Sequence, residues 1–257
     1  MKKVLLSLCF CLFLVPVAFA IDREPLLPFT PVQASVISPI ALPPFVDNVY
    51  GARGNLIYGY NKRVVGFDVG LIQHSERTTA IQMGLLANIS GTMEGIAAPY
   101  FFSYFPCVNI ARDFSGLQFS YLYNSSDNFW GFQGIPLACN IANDVSGVQI
   151  AVLWNRARDV CFWQSAALAN NARNLSGYQG GIANTVEDEM IGWQHAVAIN
   201  NAGKMGGLQT SYILNRATES LHGIQFGAIN YAKDVDGGLQ IGLININKNR
   251  ILPIINF

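Results

Sequence analysis

Three histidines, one short acidic run and a few cysteines are the residues of this chain whose types could support catalysis or metal binding. His74, His195 and His222 are the only histidines, and no His-x-x-x-His or Cys-x-x-Cys spacing gathers ligands around one ion. His195 lies on an apolar strand parity between Trp193 and Val197. A serine two residues along that face would give the imidazole a nucleophile to activate, but the position is Val197. Glu187, Asp188 and Glu189 lack the spaced oxygen ligands and glycine of an EF-hand loop and read as a solvated turn. The glycines follow a strand period, not the order of a phosphate cradle. Lys plus Arg equals Asp plus Glu at 16 each, so no basic surface for nucleic acid is indicated. The expectation is a non-enzyme with no cofactor, no metal and no nucleic-acid partner.

What the chain does repeat is an amide pattern. A phrase of the form Gly-apolar-Gln-x-small-x-x-x-Asn places glutamine at Gln118, Gln133, Gln149, Gln164, Gln179, Gln194, Gln209, Gln225 and Gln240, at spacings of 15 or 16 residues. Asparagine follows six residues later at Asn124, Asn155, Asn170, Asn200 and Asn215, and five later at Asn184, Asn230 and Asn245. Gln82 with Asn88 is a further copy, and the phrase weakens around Gly66 and Gly95. Between copies runs a second consensus rich in turn formers, as in Ala142-Asn-Asp-Val-Ser-Gly147. A fixed short period of this kind signals a repeat architecture.

Each copy reads as one strand and one turn. Val148, Ile150, Val152 and Trp154 point one way, and Gln149, Ala151, Leu153 and Asn155 the other, a period of two. One face is large and apolar; the other carries Gln, a small residue, an aliphatic residue and Asn.

The setting is read from both ends and from composition. Met1-Lys2-Lys3, an apolar run and Val17-Ala-Phe-Ala20 have the form of a secretory signal peptide over residues 1–20. Removing it takes Cys9 and Cys11 and leaves Cys107, Cys139 and Cys161, which is no disulfide scaffold. Residues 21–47 are dense in proline and read as a linker. Residues 48–257 form the repeat domain. Only 12% of the sequence is charged, against a typical ~25%. An exported, apolar chain of alternating strands is expected to be all-β: an antiparallel transmembrane β-barrel of about 14 strands, one strand plus one turn per repeat.

In that barrel Gln118, Asn124, Gln149, Asn155, Gln164, Asn170, Gln179, Gln194, Asn200, Gln209, Asn215, Gln225 and Gln240 line the lumen. A hairpin centred on Asp159 sets Asn155 opposite Gln164 and Gln149 opposite Asn170. The inward parity shows no ring of charges, which predicts a structural or weakly conducting pore. The alternative is a surface-displayed β-solenoid with one coil per repeat, Gln stacked on Gln and Asn on Asn, binding a partner or acting as an adhesin. Its large apolar face then needs burial against a partner or a membrane.

Two resemblances bear on location. The last seven residues, ending in Phe257, resemble the carboxy-terminal signal that outer-membrane barrels present to their insertion machinery, although Pro253 departs from it. The repeat phrase, best preserved from Gly237 to Asn245, resembles that of exported surface-repeat proteins of spirochaetes and other Gram-negative bacteria. These resemblances imply the outer membrane or cell surface, with membrane lipid and the insertion machinery as partners, and supply no catalytic residues.

Overall fold

In the computed structural model, which describes residues 27–99, 107–134 and 137–257, the chain winds into a β-solenoid of about fourteen coils. The signal peptide expected at 1–20 lies outside the described residues. The elements are β1 (Thr30–Ile37), β2 (Ile40–Leu42), β3 (Asn48–Pro99), β4 (Val108–Phe119), β5 (Tyr123–Gly134) and β6 (Cys139–Ala151). They continue with β7 (Trp154–Arg156), β8 (Asp159–Ala166), β9 (Ala169–Ala172), β10 (Asn174–Met205) and β11 (Leu208–Ser211). The last are β12 (Leu214–Leu221), β13 (Ile224–Phe226), β14 (Ile229–Val235), β15 (Leu239–Ile246) and β16 (Ile251–Asn256). All join one sheet.

The antiparallel barrel is not the architecture. Among the described residues every named pairing is parallel except β1 with β2 and β15 with β16 at the two ends. Gln149 lies beside Gln164 and not opposite Asn170, and Asn155 beside Asn170 and not opposite Gln164. The 52 residues of β3 would reach ~170 Å as a straight strand. Instead β3 winds, bringing Gly66 over Gly51 and Gly95 over Ala80. The solenoid prevails because in-register parallel stacking sets identical side chains side by side, and an amide, carrying both donor and acceptor, bonds well to a copy of itself.

Five residues per coil point inward, as Asn140, Ala142, Val145, Gln149 and Ala151 do in β6. The alanine and large-apolar positions stack into a continuous ribbon that runs from Met93, Phe114 and Phe129 through Val145, Val160 and Leu175 to Met190, Met205 and Leu221. Phe114 and Phe129 are stacked with ring centroids 5.8 Å apart. This ribbon supplies the apolar half of the core. Where the coil turns from it toward the next glutamine, glycine recurs with positive φ, as at Gly131 (128°), because a Cβ there would collide with the carbonyl of Gly116 in the coil before.

Both ends are closed by short return strands. β16 runs antiparallel along β15, and Asn256 Nδ2 donates to Gln240 Oε1 at 2.7 Å. Phe257 follows it, exposed. At the other end the linker expected over 21–47 is, in its described part, structured: β1 lies parallel to the first turn of β3, with Gln33 beside Arg53 and Ser35 beside Asn55, and β2 folds back on β1. Proline permits this because its prolines sit at strand ends and on the terminal edge, where no neighbour awaits an amide donor.

Candidate functional site: two amide ladders beneath an apolar ridge

The residues expected to line a lumen instead fill a dry interior. Gln118, Gln133, Gln149, Gln164, Gln179, Gln194, Gln209, Gln225 and Gln240 are fully buried, as are Asn124, Asn140, Asn155, Asn170, Asn200, Asn215, Asn230 and Asn245, with Asn184 almost so. From Gln133 onward each glutamine Nε2 donates to the Oε1 of the coil before it, at 2.7 Å from Gln133 to Gln118 and 2.9 Å from Gln164 to Gln149. Each asparagine Nδ2 donates to the Oδ1 of the coil after it, at 2.9 Å from Asn140 to Asn155 and 3.0 Å from Asn155 to Asn170. The two ladders therefore run with opposite polarity, so their aligned amide dipoles oppose each other along the axis. The second Nδ2 proton goes in most coils to a backbone carbonyl ten or eleven residues on, as from Asn155 to Ser165 at 2.6 Å and from Asn184 to His195 at 2.8 Å.

Toward the N-terminal end the glutamine column changes chemistry. Ala97 stands where the next glutamine would be, and the Nε2 of Gln118 above it has no partner. Below, Gln82 donates to Asp68 Oδ2 at 3.0 Å, and Asp68 pairs with Arg53 at 2.5 Å, both side chains fully buried. Arg53 also donates to Asn61 Oδ1 at 2.8 Å. This buried pair is a column member that sequence reasoning missed, although Asp68 stands 14 residues before Gln82 and Arg53 15 before Asp68.

Outside, the solenoid has two unlike flanks. Between the inward small residue and the inward asparagine, two or three successive residues project outward at a corner; Val152, Leu153 and Trp154 are one set of three and Leu243 and Ile244 one of two. Stacked corners form a convex ridge that exposes Leu122, Leu137, Leu153, Leu168, Ile182, Val197, Ile213 and Leu243. The column just before each glutamine forms one shoulder, where the rings of Trp163, Tyr178 and Trp193 pack in series, tilted and then edge to face, with centroids 4.2 and 5.3 Å apart. On the same flank His195 Nδ1 hydrogen-bonds Thr210 Oγ1 at 2.9 Å, an outward-facing contact between neighbouring coils.

The opposite flank covers the apolar ribbon and carries the charge. Arg158 bonds both carboxylate oxygens of Asp144 at 2.7 Å and Asp159 at 3.0 Å, and Arg173 bonds Asp188 at 2.7 Å. Donation from Asn174 holds the Asp159 carboxyl below its usual range, and donation from Asn128 does the same for Asp113. Glu187, Asp188 and Glu189 sit here, at a corner within β10 between inward Val186 and Met190. Among the described residues no group of three or more His, Cys, Asp or Glu side chains is placed to hold a metal ion.

One further cluster holds polar atoms together on the N-terminal coils. Tyr58 Oη and His74 Nδ1 are 2.8 Å apart, and Tyr60 Oη donates to Glu76 at 2.7 Å. Burial and Glu76 push the Tyr60 hydroxyl up to about 12, and burial lowers His74 below its ordinary value. Both shifts keep the groups neutral. Cys107, pushed up to about 12 by burial, is likewise held as an unreactive thiol. Comparison with protein-family models, with curated proteins and with solved structures finds no match.

Proposed function

We propose that this chain is an exported, non-catalytic β-solenoid that serves as a binding scaffold at the cell envelope, with the apolar ridge as its contact surface. The observation that carries the reading is the segregation of charge. All fifteen charged residues between Gln118 and Asn245 fall in the runs from asparagine to the next glutamine, and none in the runs from glutamine to asparagine that build the ridge. Nine coils at ~4.8 Å each make this uncharged strip about 40 Å long. Soluble monomers seldom expose a contiguous apolar surface above a few hundred Å² unless it meets a partner. Export is supported by the form of residues 1–20, and the surface-repeat resemblance points to the envelope. A solute pore is set aside with the barrel, since the interior amides are bonded to one another and leave no channel.

The test uses the mature chain from Ile21 onward, purified and transferred to plain buffer. Wild type is expected to bind an apolar dye and self-associate, and the triple variant Leu153→Glu, Leu168→Glu, Ile213→Glu to stay monomeric and dark with an unchanged β spectrum. A wild-type protein that is itself monomeric and dye-silent would remove the ridge as a contact surface and end this reading.

A further inference from the structure

Resting on the ridge as contact surface, we infer that its partner is the surface of a phospholipid bilayer, into which the ridge dips lengthwise without spanning it. Four observations converge on lipid.

The ridge half of the solenoid is inverted relative to a soluble protein. Its inward side chains include Gln and Asn, satisfied by one another, while its exposed side chains are mostly apolar, Leu, Ile and Val with Trp154, Tyr121, Tyr212 and Phe226, and the polar pair His195–Thr210 lies among them. Apolar groups placed outside polar ones are stable where the surroundings are less polar than the interior.

Its backbone is also ready for hydrocarbon. At four of the corners, where regular strand geometry breaks, the crest amide bonds the coil before: Leu122 to the Cys107 carbonyl at 3.2 Å, Leu153 to Ala138 at 3.2 Å, Leu168 to Leu153 at 3.2 Å and Ile182 to Ala167 at 3.3 Å. At these four corners the crest amide meets the strictest condition the bilayer sets.

The side chains are graded. Aliphatic residues hold most of the crest, and the amphipathic rings of Trp163, Tyr178 and Trp193 lie on one shoulder, with Trp154 on the other. Indole and phenol rings favour the headgroup boundary, a few ångströms shallower than the aliphatic groups.

Finally, the crest is convex, with two or three outward residues at each corner. Two convex ridges touch along a line, so a second copy would cover little of either, whereas lipid chains conform to the shape. The absence of charge on this flank removes any need for anionic headgroups and makes the contact independent of salt.

The experiment is flotation of the mature chain with phosphatidylcholine vesicles at low and high salt, followed by quenching with brominated phosphatidylcholine. Wild type is expected to float equally at both salt concentrations, and the Leu153→Glu, Leu168→Glu, Ile213→Glu variant to lose at least tenfold in bound fraction. Quenching should reach Trp154, Trp163 and Trp193 but spare Trp130, which sits on the charged flank beside Ser115 and Ser146. A Trp130→Phe variant should therefore show a larger fractional quench than wild type. Flotation only with anionic vesicles, released by salt, would assign the contact to the charged flank and overturn the inference. A protein that ignores vesicles yet forms ridge-dependent oligomers would overturn lipid as partner while leaving the ridge as contact surface. A monomer that does neither would overturn both.

Discussion

Phe162 occupies a position that glycine holds in the coils on either side, beside Gly147 and Gly177, and it does so with φ of 110°. Its side chain is 62% exposed, so little packing offsets the strain. A non-glycine residue in this region costs roughly 1–3 kcal/mol, against about 0.5–1 kcal/mol for the extra chain entropy of glycine. Phe162→Gly is therefore expected to raise unfolding stability by about 1 kcal/mol in urea titration. Inward amides behave in the opposite way. Gln164→Ala strands Gln149 Oε1 and Gln179 Nε2, which lose their partners at 2.9 and 2.8 Å. Each unpaired buried group costs about 1–3 kcal/mol, so a loss of about 2–5 kcal/mol is expected. Leu168→Ser, on the crest, should stay within about 0.5 kcal/mol in the same titration. The inward setting of Gln149, Ala151 and Asn155 was legible in the sequence. Leu153, expected on the same face, projects outward because strict alternation breaks at the corner, where Val152, Leu153 and Trp154 are all exposed. The Arg53–Asp68 pair was not legible, because its residue types broke the phrase that marked the column.

At the scale of elements, the coils are held by lateral pairing, and each end needs a stop. β16 supplies one, since Asn256 completes the glutamine ladder, while Pro253, which has no amide donor, sits at the break in register between Leu252 and Ile254. Deleting residues 250–257 bares β15, whose row of backbone donors and acceptors is a template for another chain. Concentration-dependent end-to-end association is expected by sedimentation velocity, with Gln240 exposed at the junction. The strand near the C-terminus was predictable from its alternating Ile251, Ile255 and Phe257, but its role was not. A closing barrel strand and a solenoid cap share the same local pattern, and only the partner strand tells them apart. The proline-rich segment misled for a related reason: low ladder-forming capacity suits a linker, and it equally suits a strand with one free edge.

At the scale of the whole molecule, parallel stacking makes positions one period apart neighbours. In a cysteine-free background, Val148→Cys with Trp163→Cys lie side by side on adjacent coils and should oxidise to an intramolecular disulfide. Asn155→Cys with Gln164→Cys, neighbours in a hairpin, should not. Non-reducing electrophoresis distinguishes the two, and the reverse outcome would restore the antiparallel barrel. The same geometry produces the two flanks, because a residue type repeated every fifteen positions becomes a stripe along the axis. The ridge was present in the sequence as charge-free runs between each glutamine and asparagine. It becomes visible as a surface only once those runs are stacked.

By itself the sequence determined that the chain is all-β, that its unit is fifteen residues, and that Gln and Asn share the face opposite Val148, Ile150 and Trp154, since period and alternation are local properties of covalent geometry. Only the tertiary structure decided whether successive units pair in parallel or antiparallel. That choice rests on non-local energy: stacking every amide on its own copy satisfies donor and acceptor in a dry interior, whereas the barrel would leave the same amides to a water-filled lumen.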